Sequence, residues 1–232
     1  MRSRALSAMV AGAAALALAA TFAAPANAGS GPTATQRGVA GPAAAASPGA
    51  VCFSSAAADV GDAVTSQNFA RVDNAFDTQT AGDFKCPGRT GAFKIKKVSV
   101  VGQYSPDGGP ADSVNVRIYN NTSGEPDSVK CSYKNLPYTN GPSFEIALPS
   151  ACRVANGKAY WVEVQANMDF DPNGQWFWEL GTPADFKQAD FQNPGGGFGT
   201  PCPTYQNDLY LPDCIPGLPG DEVIFTIRGD AV

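Results

Sequence analysis

The sequence predicts an all-β fold, an antiparallel β-sandwich (a jelly roll is one form of it) held by disulfides. Three observations predict it. Apolar residues recur with a period of two, the spacing that sends alternate side chains to opposite faces of a strand. Clusters of Pro, Asn, Asp and Gly punctuate those runs, and no amphipathic helical stripe competes with them. Six cysteines, an even number, all lie beyond an export-type leader.

The leader comes first in the chain. Arg2 and Arg4 precede an Ala-rich apolar run from Ala5 to about Ala24, and Pro25-Ala26-Asn27-Ala28 follows with small residues where a signal peptidase reads them. This is the layout of a bacterial secretory signal peptide over residues 1–28, cleaved after Ala28. The run is short and Ala-rich, and no basic stop-transfer cluster follows it, so release is favoured over membrane insertion. The expected location is secreted, extracellular. Residues 29–50, rich in Ala, Gly, Pro, Ser and Thr, read as a flexible low-complexity spacer. Residues 51–232 remain for one β-sandwich domain.

Charge narrows the partners. The chain has 16 basic and 21 acidic residues, a net of −5. The leader holds two of the basic residues and no acid, so 14 stand against 21 afterwards, a net of −7. An acidic domain argues against nucleic acid and against anionic membrane surfaces.

Cys52, Cys86, Cys131, Cys152, Cys202 and Cys214 form the disulfide framework of an exported chain. Six cysteines allow fifteen pairings, which sequence leaves open; the sequential one is chosen as the expectation: Cys52–Cys86, Cys131–Cys152 and Cys202–Cys214. A zinc site is disfavoured because there is no CxxC and no histidine. The absent histidine also excludes Ser-His-Asp and Cys-His nucleophilic catalysis. An enzyme on this chain would work through carboxylates, Lys, Tyr or an oxygen-ligated metal.

The strands follow in order. Val98 and Val100 alternate within Lys96–Tyr104. Val114, Val116 and Ile118 share one face, with Asn115 and Arg117 opposite. Phe144, Ile146 and Leu148 repeat the pattern. Tyr160, Val162, Val164 and Ala166 face one way, and Trp161, Glu163, Gln165 and Asn167 the other. Trp176, Trp178 and Leu180 oppose Gln175, Phe177 and Glu179. Val223, Phe225 and Ile227 make the last strand. Between Asn193 and Gly220 a long Gly/Pro-rich stretch needs a function or a tether, and a Cys202–Cys214 bridge supplies the tether.

Several of these segments carry a family resemblance. They are Asp77…Ala81-Gly82-Asp83-Phe84, Ser113–Asn120, Tyr160-Trp161-Val162-Glu163-Val164-Gln165-Ala166-Asn167-Met168, Gly174-Gln175-Trp176-Phe177-Trp178-Glu179, and Asn193–Gly199 with Cys202. Together they resemble a β-sandwich module of secreted bacterial proteins, one that stands alone or is appended to extracellular peptidases and surface proteins. The resemblance spans most of the domain and implies the fold, but no defined activity. Gly82 stands where the pattern has a second Asp, and Phe177 where it has a small residue between the tryptophans.

Four constellations bear on function. If Tyr160–Asn167 and Gln175–Leu180 form a hairpin, Trp161 and Phe177 lie on a wet face among Glu163, Gln165, Gln175 and Glu179. That surface suits a sugar or a peptide, unless the Gly-rich loop or the spacer covers the rings and makes them core. Trp176 and Trp178 are expected as core anchors. Asp169-Phe170-Asp171-Pro172-Asn173-Gly174 matches the start of a calcium loop, with Asp169, Asp171 and Asn173 as ligands. Leu180 stands where such a loop closes with Glu, so a simple Pro-Asn-Gly turn is the competing reading. Asp83, Glu163, Asp171 and Glu179 could supply a hydrolytic acid pair if two of them faced each other across a cleft. Arg228-Gly229-Asp230 is expected to be a chance match to an adhesive tripeptide.

The expected function is a secreted, non-catalytic binding or accessory domain whose partner is a polysaccharide, a cell-wall component or an extracellular protein. A carboxylate-dependent extracellular hydrolase and a structural matrix protein stay open as alternatives. Calcium is the one cofactor the sequence suggests.

Overall fold

Fifteen strands run through the described residues of the computed structural model, which are 31–37, 49–55, 59–69, 73–105, 108–182, 189–205, 210–218 and 222–232. Residues 1–28, read as a signal peptide, lie outside them. The front layer is one sheet in the order β13 (Asp190–Gln192), β5 (Gln79–Lys85), β11 (Ala159–Asn167), β8 (Ser113–Thr122) and β9 (Glu125–Leu136). The short β4 (Gln67–Asn68) lies parallel to the end of β11; the other pairings are antiparallel.

The back layer has two parts. One is β10 (Phe144–Ala155), β6 (Ala92–Val100), β15 (Phe225–Ala231) and β2 (Ala50–Ser54). The other is β1 (Thr35–Arg37), β3 (Asp59–Thr65), β12 (Gln175–Gly181) and β14 (Glu222–Val223), with β7 (Gly102–Ser105) also on β12. The chain crosses between the parts at Val101 and Ile224. There the Val101 N–H donates to the Ile224 carbonyl (3.1 Å), the Glu179 N–H to that of Val101 (2.9 Å) and the Ile224 N–H to that of Glu179 (3.0 Å).

The period-two pattern fixes what lies between the layers. Tyr160, Val162, Val164 and Ala166 of β11 and Val114, Val116 and Ile118 of β8 point to the back layer. They meet Ile95, Val98, Phe144, Ile146, Trp176, Trp178, Phe225 and Ile227 in one buried cluster. Trp176 and Trp178 are core residues as expected, and each indole N–H finds a carbonyl: Pro142 at 2.8 Å and Ile224 at 2.9 Å. Gly82 of β5 faces the same way. A Cβ there would sit 2.6 Å from the Phe225 ring and 2.7 Å from Glu222 and Val223, so no side chain fits where the resembling pattern has Asp.

The three disulfides join the cysteines that were expected to pair. Cys52–Cys86 and Cys131–Cys152 each tie a back-layer strand to the front-layer chain, and Cys202–Cys214 closes a loop. Within the stretch read as spacer, Thr35–Arg37 is a strand paired with β3.

The expected hairpin is a correction. β11 pairs with β5 and β8 in the front sheet, whereas β12 pairs with β3, β7 and β14 in the back layer. A hairpin needs both strands in one sheet. Here both carry an apolar face, and the two strands bury those faces from opposite sides of one core. Arg228-Gly229-Asp230 lies inside β15, hydrogen-bonded to β6 and β2, and not on a turn.

Candidate functional site

The outward face of the front sheet carries the polar residues of β11 and β8 in register. Trp161 lies opposite Tyr119, Glu163 opposite Arg117, Gln165 opposite Asn115 and Asn167 opposite Ser113. Side chains directly opposite in an antiparallel pair touch, so this face grades from aromatic through ionic to carboxamide along the strands.

The aromatic end is closed. Tyr205 and Tyr210, from the loop pinned by Cys202–Cys214, pack with Ala81, Tyr119 and Trp161. The Tyr119 and Tyr205 rings meet edge to face at 5.7 Å. Trp161 is fully buried and donates its indole N–H to Asn121 Oδ1 at 2.9 Å. The wet-face expectation for Trp161 therefore fails: the loop covers the ring.

The middle is a buried ionic ring. Glu163, fully buried, pairs with the Arg117 guanidinium and accepts hydrogen bonds from the hydroxyls of Tyr119 and, at 3.3 Å, Tyr205. Burial pushes the Glu163 carboxyl above its ordinary range, and the Arg117 charge and the three donors pull it back. This is a positioning arrangement: both carboxylate oxygens are engaged, and Arg117 is held by one of them.

The far end opens into a polar pocket of about 250 Å³, lined by Asn68, Asp77, Gln79, Asn115, Arg117, Lys134, Asn135, Gln165 and Asn167. Its floor is a chain of carboxamides. Asn115 Nδ2 donates to Gln165 Oε1 (3.2 Å) and Asn167 Oδ1 (2.8 Å), Asn68 Nδ2 donates to Asn167 Oδ1 (2.9 Å), and Gln165 Nε2 donates to the Thr78 carbonyl (2.9 Å). Asn167 Nδ2 donates to Ser113 Oγ (3.0 Å) and Asn115 Oδ1 (3.1 Å). Amides locked in this way present fixed donors and acceptors. Asp77 forms one wall, where its Oδ1 accepts the Phe69 N–H at 2.7 Å and burial raises its carboxyl above the ordinary range.

The Gly-rich stretch supports that wall. Asn193 Nδ2 donates to the carbonyls of Ala75 (3.0 Å) and Asp77 (2.9 Å), and the Gly197 N–H donates to that of Ala75 (2.8 Å). A Cβ on Gly195 or Gly197 would come within 2.6–2.7 Å of Ala75, so glycine is needed for the approach of two backbones.

The other expected residues lie elsewhere. Gln175, Phe177 and Glu179 are buried on β12. Gln175 is held from the N-terminal side, where its Oε1 accepts the Thr33 N–H at 2.9 Å and its Nε2 donates to the Thr33 carbonyl at 2.6 Å. Of the six residues expected at a ligand surface, Gln165 alone lines the pocket, and Glu163 stands behind it through Arg117. Asp169 precedes the turn Phe170–Asn173, which holds Asp171, exposed, and Asn173, half-buried. Among the described residues no group of three or more His, Cys, Asp or Glu side chains is placed to hold a metal ion. Asp171 is exposed, Glu163 and Glu179 belong to different layers, and Asp83 is buried beside Glu222, with which it shares a side-chain hydrogen bond. Asn68, Asp77, Asn115, Lys134 and Asn135 were not expected as site residues. The signal that points to them is the density of carboxamides on the polar faces of β8 and β11.

Asp190 on β13 belongs to the same outward face. One of its oxygens accepts the Phe191 N–H at 2.8 Å, and the other has no hydrogen-bond partner among the described residues. Burial, with the nearby Glu125 charge, pushes its carboxyl up to about 8. A raised carboxyl binds a proton in the folded chain that the unfolded chain releases. Stability therefore falls as pH rises from the unfolded value near 4 through about 8. Asp190→Asn should be more stable than the parent at pH 8.5, by on the order of 5 kcal/mol, and nearly equal to it at pH 4. Urea unfolding across that range measures the difference, and a gap that does not change with pH contradicts the assignment.

Comparison with protein-family models, curated proteins and solved structures finds no match to this chain.

Proposed function

We propose that the chain is a secreted, non-catalytic binding domain whose pocket takes a hydroxyl-rich ligand, a sugar unit of a polysaccharide or cell-wall component. The pocket wall carries this reading: six carboxamides stand with one guanidinium, one ammonium and one carboxylate around a space of about 250 Å³. A carboxamide offers a donor and an acceptor in one plane, which matches adjacent hydroxyls that each donate and accept. Arg117 is neutralised by Glu163, and Asp77 offsets Lys134, so the wall favours a neutral ligand over a phosphate. The space falls just below the ~300–1,000 Å³ of drug-sized clefts, in keeping with one sugar ring. Three disulfides accord with an oxidising, extracellular setting.

Recognition rests on hydrogen bonds and not on stacking over Trp161 or Phe177. A single site of this kind binds weakly, and multivalent display compensates. A glycan array and a pull-down on cell-wall material test the proposal. Binding should weaken at least about tenfold in the double variant Lys134→Ala with Asp77→Asn, since each charged hydrogen bond contributes about 1.5–3 kcal/mol. A folded parent that retains no glycan, or variants that bind like the parent, would overturn it.

A further inference from the structure

A second surface lies on the opposite side of the molecule from the pocket's sheet. On the outer face of β10-β6-β15, Lys94, Lys96, Lys97, Arg153 and Arg228 stand with two carboxylates, Glu145 and Asp230. Five cations against two acids give this face +3, on a chain whose net charge is −5. The acids are committed: Asp230 to Lys96 at 2.5 Å and Glu145 to Lys97 at 2.9 Å. Lys94 and Arg153, both exposed, have no carboxylate partner among the described residues.

The register makes the excess of cations costly. Arg153 sits directly opposite Lys94 across β10–β6, with Asp230 opposite Lys94 on its other side, and Arg228 sits directly opposite Lys97 across β15–β6, with Glu145 bonded to Lys97. Like charges opposite each other in a sheet, about 5 Å apart, repel and destabilise the pair. An anionic ligand spanning the two pairs would relieve both.

We propose that this face binds a polyanionic polysaccharide, a glycan chain bearing repeated carboxylate or sulfate groups. Cations spread over three adjacent strands suit an extended polymer better than a small ion. Strands spaced about 4.8 Å apart, with same-face residues about 6.6 Å apart along each, form a grid of charge that a polymer can lie across. The proposal does not depend on the pocket, which lies on the front sheet.

The test uses the mature chain on immobilised polygalacturonate and dextran sulfate, with neutral dextran as control, over increasing sodium chloride. Retention by a charged polymer, none by dextran, and a steep loss with salt are expected, because neutralised charges release counterions. The double variant Lys94→Gln with Arg153→Gln should lose at least tenfold in affinity. Its melting temperature should equal or slightly exceed the parent's, since a repulsive pair is removed, and this reports that the variant folds. The pocket variant Lys134→Ala with Asp77→Asn should keep its affinity for the charged polymers, which separates this face from the pocket. Equal retention on dextran, unchanged binding by Lys94→Gln with Arg153→Gln, or binding to phosphatidylglycerol vesicles with none to either polymer would overturn the proposal.

Discussion

Replacing Glu163 by Ala should cost about 3–5 kcal/mol of folding stability, the expected result of breaking a buried ion pair from one side. The variant leaves the Arg117 guanidinium, mostly buried, without its counter-charge, and leaves the Tyr119 and Tyr205 hydroxyls without their acceptor. A double variant, Arg117→Met with Glu163→Leu, should recover a large part of the loss, because both charges go together. It should still bind the pocket's ligand poorly, since Arg117 lines the pocket. Guanidinium unfolding of the two variants separates these effects. A Glu163→Ala chain within about 1 kcal/mol of the parent would place Glu163 in a wetter setting than the one described.

Breaking Cys202–Cys214 as Cys202→Ser with Cys214→Ser should cost about 3 kcal/mol by loop-closure entropy, the cysteines being 12 residues apart. The larger consequence is local. Tyr205, inside that loop, is both a cover for Trp161 and a donor to Glu163. Freed of its tether, the loop should uncover Trp161 while Trp176 and Trp178 stay in the core. Acrylamide quenching of tryptophan fluorescence measures this. Quenching should rise in the serine variant, and the rise should vanish when Trp161→Phe is added. Quenching equal to the parent's would mean that the loop holds its place without the bridge.

Much of this fold was legible in the sequence because strand geometry is local. A side-chain period of two assigned Tyr160, Val162, Val164 and Ala166 to one face and Trp161, Glu163, Gln165 and Asn167 to the other, and the sheet keeps that division. The even cysteine count made a disulfide framework legible, and the structure selects the sequential pairing from the fifteen the count allows. Local pattern is silent on what covers a face. Trp161 reads as exposed until Tyr205, 44 positions later, lies across it. The pocket escapes for the same reason, with Asn68 and Asp77, Asn115, Lys134 and Asn135, and Gln165 and Asn167 coming from four separate stretches.

The sequence by itself determined an all-β chain and the faces of its strands, whereas which of the fifteen cysteine pairings forms was decided by the fold. The chain class and the strand faces follow from backbone periodicity. The tertiary structure alone decided that β11 and β12 lie in opposite layers, that Glu163 is buried against Arg117, and that the outward face opens into a pocket at its carboxamide end. These depend on contacts between residues far apart in sequence, where burial is set by whichever segment closes over a face and not by the residues on it.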